Sequence, residues 1–166
     1  MARIRDLLAL RRDPVETVLP TAAVHAAIER LVERNIGSLV VSDGKRVVGI
    51  FTERDVLRRV ALPALDARRL RVGEVMTADP ITIEPDATVE GCMALMTRER
   101  IRHLPVVERG ELVGMISIGD LVKYASETRA AEVEHLTRYI HGAGPPPPSR
   151  PDTRARRSAG SREAGV

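Results

Sequence analysis

Apolar and polar positions alternate along this chain in a way that repeats itself. Ile4, Leu7 and Leu8 have the i, i+3, i+4 spacing of a helix face, and Leu10 follows them. A short extended piece, Val15 to Val18, runs to Pro20, and Thr21 behind the proline is a candidate helix N-cap. Val24, Ile28, Leu31 and Val32 then mark an amphipathic helix. Two apolar runs, residues 36–41 and 46–51, flank Ser42-Asp43-Gly44-Lys45, where the Asp-Gly pair favours a tight hairpin. A second helix is predicted from Thr52 to about Val60. The unit reads β-α-β-β-α.

Sliding the chain by 65 residues lays this pattern on itself without a gap. Thr17/Thr82, Pro20/Pro85, Ala22/Ala87, Val24/Val89, Ile36/Ile101, Leu39/Leu104, Val41/Val106, Val48/Val113, Gly49/Gly114 and Asp55/Asp120 are identical pairs. The second copy therefore has its own extended piece (81–83), an N-cap candidate in Asp86, and a helix through Val89, Met93 and Met96. Strands at 101–107 and 112–117 follow on either side of the polar turn Glu108-Arg109-Gly110-Glu111, with a helix from Ser117 to about Tyr124. A copy of about fifty residues is small for an independent core, so two sheets packed about a pseudo-twofold axis are expected. The predicted organisation is a first repeat with its N-terminal helix over 1–66 and a second over 67–125. A C-terminal helix over 126–141, with Ala125, Val133, Leu136 and Ile140 as its candidate stripe, precedes a Pro/Arg-rich tail over 142–166. The run Pro145–Pro148 excludes regular structure, and the remainder has the composition of a disordered segment.

Charge changes this picture little. The net +3 resides in the tail, where Arg150, Arg154, Arg156, Arg157 and Arg162 face only Asp152 and Glu163; the other 141 residues hold 21 basic and 21 acidic side chains. The folded part lacks the excess of a nucleic-acid reader, and weak polyanion association is expected only through the tail. Aromatics make up 2% of the residues, which argues against base stacking on rings. Cys92 is the single cysteine, on a helical stripe with Met93 and Met96, and reads as a packed small hydrophobe. It excludes an internal disulfide framework. There is no apolar run of membrane-spanning length and no signal-peptide pattern at the N-terminus, so a cytoplasmic protein is expected. No phosphate loop, dinucleotide fingerprint or nucleophile elbow is present.

The candidate chemistry lies where strand meets helix. Thr52-x-x-Asp55 and Ser117-x-x-Asp120 have the hydroxyl-x-x-acid pattern of a capping box, worth roughly 0.5–2 kcal/mol. A carboxylate there is also able to accept from ribose hydroxyls, and the two roles are compatible. Helix N-termini attract phosphate, which makes Thr52 and Ser117 candidates as well.

Together these residues carry a family resemblance. Val75-Met76-Thr77, Ile81 to Val89, Arg102-His103-Leu104-Pro105-Val106-Val107, Leu112 to Asp120, Ile36 to Val41 and Gly49 to Asp55 resemble a tandem pair of CBS (cystathionine β-synthase) domains, a Bateman module, from about Ile4 to Tyr124. The resemblance implies two β-α-β-β-α units, two inter-repeat clefts that take adenosine ligands such as AMP, ADP or ATP, and a homodimer. It also implies regulation of a partner protein rather than catalysis. By that resemblance Asp120 and Asp55 hold ribose, with Ser117 and Thr52 beside ribose or phosphates, and Thr17 and Thr82 meet the base. Arg102 and His103 contact phosphates, and Ser38 is the counterpart of His103; Arg54, on the first turn of its helix, reads first as a solvated surface arginine and second as a phosphate contact. Because Gly37-Ser38 stands where the second copy has Arg102-His103, the clefts are expected to differ, with the Asp120 copy forming the phosphate-binding one. A structural module with empty clefts is the alternative reading.

Overall fold

The computed structural model describes residues 1–142 apart from Arg12, Asp13 and Lys45, with side chains described as far as residue 131. The elements, in order, are α1 (Ile4–Ala9), β1 (Thr17–Val18), α2 (Val24–Glu33), β2 (Ser38–Ser42) and β3 (Val47–Thr52). Then come α3 (Glu53–Asp55, widening into π-helix over Val56–Ala61), α4 (Val72–Val75), β4 (Thr77–Ala78), α5 (Val89–Glu99), β5 (His103–Glu108), β6 (Glu111–Ser117) and α6 (Ile118–Gly142). Residues 1–127 form one compact unit that holds both repeats, and the described residues 128–142 fall in a second unit. Of the expected tail over 142–166, Gly142 closes the last helix and residues 143–166 lie outside the described residues, as do the side chains of Val133, Leu136 and Ile140.

The first sheet has the order β1-β2-β3-β4, with β1 parallel to β2 and the other pairs antiparallel. In the second, β5 and β6 pair antiparallel, and Ile83 adds a parallel bridge to Val106. Both faces of β2 are buried, so its sequence is a continuous apolar run between serines rather than an alternation. Leu39 and Val41 join Phe51 under the helices of the first repeat, with Val24, Ala27 and Leu31 from α2. Leu104, Val106 and Ile116 do the same in the second, with Val89, Cys92 and Met96 from α5. Cys92 is buried as a small hydrophobe, and burial pushes its thiol pKa up. The opposite sheet faces meet each other: Val40 and Ile50 pack with Met115, joined by Val15, Val47 and Leu112. That interface joins the two repeats as one body.

The short helices exchange places. Ile4 and Leu7 of α1 are buried in the second repeat, while Val72 and Val75 of α4 are buried in the first. Backbone hydrogen bonds fix this: the Ile4 and Arg5 amides donate to the carbonyls of Ala87 and Pro85, and those of Val72 and Gly73 donate to Ala22 and Pro20. Gly49 and Gly114 recur for the same reason. A Cβ on Gly49 would strike the Met76 side chain and come within 3.1 Å of the Thr77 carbonyl; one on Gly114 would lie 2.5 Å from Leu8.

Several local expectations are corrected. The N-caps of α2 and α5 are Ala23 and Thr88, not Thr21 and Asp86. Thr88 Oγ1 accepts from the Gly91 amide at 3.1 Å, whereas Ala23 has no capping side chain and the first α2 amides donate to Leu70 and Ala67 carbonyls. Val32 is exposed, because α2 turns the Val24–Ala27–Leu31 face inward. The helices expected to end near Tyr124 and to restart at 126 are one, since nothing in 118–142 breaks the helix. The two-residue hairpin turn falls on the second copy: Glu108 pairs with Glu111 around Arg109 and Gly110, whose φ values of 52° and 84° are those of a type I′ turn. In the first copy Ser42 pairs with Val47, leaving a four-residue loop that contains Asp43-Gly44. Arg109 bears the left-handed strain of a residue with a Cβ, so Arg109→Asn is expected to raise stability by about 0.5–1 kcal/mol, read as a higher urea midpoint.

Candidate functional site

Each repeat ends its last strand on a hydroxyl residue and starts a helix. Thr52 donates its amide and Oγ1 to Asp55 Oδ2 (2.9 and 2.7 Å), and Ser117 does the same to Asp120 Oδ2 (2.7 and 2.6 Å). Both boxes close by a return bond from the acid's own amide to the hydroxyl. The Glu53 and Ile118 amides donate to the carbonyls of Gly37 and Arg102, which ties each junction to the start of β2 or β5. The capping role of both aspartates is therefore realised.

Their second oxygens differ. Asp55 is buried, and its Oδ1 accepts from Thr77 Oγ1 at 3.2 Å, with Arg59 Nε at 3.6 Å. Arg59 also donates to the carbonyls of Val75 and Met76. Asp55 is thus covered by the segment that follows α4. Asp120 is half-buried and its Oδ1 faces a cleft, where Arg11 Nη2 lies 2.6 Å away. Burial by itself would raise the Asp120 pKa. The two Ser117 hydrogen bonds and the Arg11 guanidinium outweigh it and hold the carboxyl below its ordinary value.

The two clefts between the repeats differ greatly in size. One, of about 880 Å³, is lined by Asp120, Ser117, Met115 and Lys123 from the second repeat and by Val15, Glu16, Arg34, Ile36, Gly37 and Ser38 from the first. Leu10, Arg11, Pro14 and His103 complete it. The other, of about 120 Å³, holds Asp55, Thr52, Glu53, Arg54, Ile50 and Thr77 with Gly37, Ile101, Arg102 and His103. Small-molecule sites are clefts of roughly 300–1,000 Å³, and of these two only the first falls in that range.

The packing of the repeats explains the difference. Residues 36–38 stand opposite Ser117 and Asp120, and residues 101–103 stand opposite Thr52 and Asp55. Small Gly37 and Ser38 leave space beside Asp120, while Arg102 and His103 take space beside Asp55. The expected inequality is present, but the companions are exchanged: Arg102 belongs with Asp55 rather than Asp120. His103 alone of that pair lines both clefts. Ser38 is buried at the large cleft and its Oγ lies 3.8 Å from Met115 Sδ. Arg54 is exposed at the small cleft and donates to the Arg100 carbonyl. Thr17 and Thr82 are in neither: Thr17 lines a separate groove beside α2, and Thr82 is exposed.

Sequence reading missed Arg11, Arg34, Glu16 and Lys123. Lys123 had a signal, since it lies three residues beyond Asp120 on one helix. Arg11 had none, because its partner is 109 residues away. Among the described residues no group of three His, Cys, Asp or Glu side chains is placed to hold a metal ion, and no helix is long and apolar enough to cross a membrane.

Burial lowers the His103 pKa and Arg102 lowers it further, against smaller opposing effects of Asp120 and Glu53. A histidine with a folded pKa below its unfolded value contributes stability above about pH 6.5, and that contribution is lost as pH falls toward the folded value. Stability is therefore expected to drop between pH 7.5 and 5.5, and His103→Gln to flatten that drop in urea titrations at both pH values.

The exchanged short helices, paired strand-to-helix junctions and two inter-repeat clefts define a tandem repeat module. The CBS domain family model matches residues 4–62 and 72–127, and the chain belongs to the CBS-domain family as a CBS pair. The structure is similar to that of a protein with CBS domains from Burkholderia ambifaria MC40-6, at 42% identity and a TM-score of 0.72 over 75% of this chain and 93% of that one. It is also similar to a CBS domain protein from Pyrobaculum aerophilum complexed with AMP, at 30% identity and a TM-score of 0.65 over 72% of this chain and 89% of that one. The mitochondrial CBS domain-containing protein CBSX3 of Arabidopsis thaliana is 36% identical over 124 residues, 72% of this chain, and the match spans 60% of that relative's length.

Proposed function

We propose that the protein is a regulatory module that binds one adenine nucleotide, AMP, ADP or ATP, in the large cleft and transmits its occupancy to a partner protein. The observation that carries this reading is the 880 Å³ cleft itself, with a carboxylate at a helix N-terminus and three cationic side chains, Arg11, Arg34 and Lys123, around it. Asp120 is the ribose acceptor, Ser117 and the first amides of α6 lie beside it, and the cations and His103 serve the phosphates. Aliphatic Val15, Ile36 and Met115 provide the apolar wall for the base. The AMP complex of the Pyrobaculum relative supports the ligand class.

Ligand atoms in this cleft touch both repeats at once. Binding then favours one placement of the repeats over another by the difference in affinity for the two, and a partner or a second copy of the chain reads that placement. The small cleft fits the alternative reading, a closed structural joint, and takes no nucleotide.

Thermal shift with AMP, ADP, ATP, NADH and S-adenosylmethionine tests the proposal. At 100 times Kd a bound nucleotide adds about 2.7 kcal/mol of stability. A flat response to all five at millimolar concentration defeats it.

A further inference from the structure

Arg11 occupies the position that a ligand would need. Its Nη2 lies 2.6 Å from Asp120 Oδ1 and its Nη1 donates to the Met115 carbonyl at 2.6 Å. Asp120 Oδ2 already accepts from the Ser117 amide and hydroxyl, so Oδ1 is the oxygen left for an incoming hydroxyl, and the guanidinium covers it. The Arg11 side chain is 43% exposed, held by polar contacts at its tip rather than by enclosure, and so is free to swing. The other cations of the cleft have acids of their own: Arg34 lies 3.4 Å from Glu16 and Lys123 lies 3.9 Å from Glu127. In the small cleft the corresponding oxygen, Asp55 Oδ1, is held by Thr77 Oγ1 at 3.2 Å, and its arginine, Arg59, stands farther off at 3.6 Å.

A neutral riboside that hydrogen-bonds to Asp120 must compete with this ion pair and offers Arg11 nothing in return. A riboside carrying an anion supplies a replacement: its hydroxyls take the carboxylate and its phosphate takes the guanidinium. We propose that Arg11 is an exchangeable counter-ion that guards Asp120 in the empty cleft and moves to the ligand's phosphate in the loaded one, so that the cleft selects phosphorylated ribosides over uncharged ones. This rests on the nucleotide reading above and adds to it the residue that sets selectivity.

Calorimetric titration of AMP and of adenosine into the full chain, Arg11→Gln and Arg11→Lys at one ionic strength tests it. The native protein is expected to prefer AMP. Arg11→Gln is expected to bind AMP more weakly and adenosine more tightly, so that the preference falls by about tenfold to a hundredfold, the range of a charge-assisted hydrogen bond. Arg11→Lys keeps part of the preference. An unchanged preference in Arg11→Gln, or equal weakening of both ligands, overturns the counter-ion role while leaving nucleotide binding intact. If the native protein binds neither ligand, the counter-ion role falls, while the nucleotide reading stands or falls on the five-ligand thermal shift.

Discussion

Asp120→Asn is expected to abolish the nucleotide-induced rise in melting temperature while leaving the protein folded. The carboxylate stands at the start of α6 in the lining of the large cleft, and hydrogen bonds to a charged group contribute about 1.5–3 kcal/mol each. Replacing it by a neutral amide weakens two ribose hydrogen bonds, so affinity is expected to fall by at least about a hundredfold. The cost to the apo protein is small. The Arg11 ion pair is half exposed and contributes little, and the capping interaction is worth about 1 kcal/mol. Differential scanning fluorimetry with and without nucleotide reads both effects from one sample. A variant that retains the full shift would remove Asp120 from the site.

Asp55→Ala is expected to do the reverse, costing about 3 kcal/mol of stability and leaving the nucleotide-induced increment unchanged. Asp55 is 6% exposed and accepts from the Thr52 amide, Thr52 Oγ1 and Thr77 Oγ1. Truncation strands those donors in a buried place and leaves the Arg59 guanidinium without its carboxylate. It also releases Thr77 from the first repeat, where β4 pairs with β3 through Ala78 and Thr77. Urea denaturation checks the prediction through a lower midpoint at unchanged slope. Asp55 and Asp120, equivalent positions of the repeat, would then be separated by two readouts, the first by stability and the second by binding.

That separation marks the limit of what sequence spacing conveys. The 65-residue repeat gave the succession of elements within each copy, the capping boxes and the pair of candidate sites, because local patterns recur wherever the same element recurs. The helical spacing of Ile4, Leu7 and Leu8 gave α1, but not the core that buries it. Repeat bookkeeping assigned α1 to the first copy, whereas the amides of Ile4 and Arg5 dock it on Pro85 and Ala87 of the second. The packing of the repeats likewise set Gly37-Ser38 opposite Asp120 and Arg102 beside Asp55, so the cations around Asp120 are Arg11, Arg34 and Lys123 rather than Arg102.

What the sequence by itself determined is local and periodic: two copies, their elements, the hydroxyl-to-aspartate junctions and the inequality of positions 37–38 and 102–103. Only the tertiary structure decided which junction opens onto a nucleotide-sized cleft and which is sealed. The physical reason is that a cleft between two repeats is made of residues far apart along the chain, as Arg11 and Asp120 are. Their meeting depends on which sheet faces pack together, and a repeat pattern that is the same in both copies cannot encode that choice.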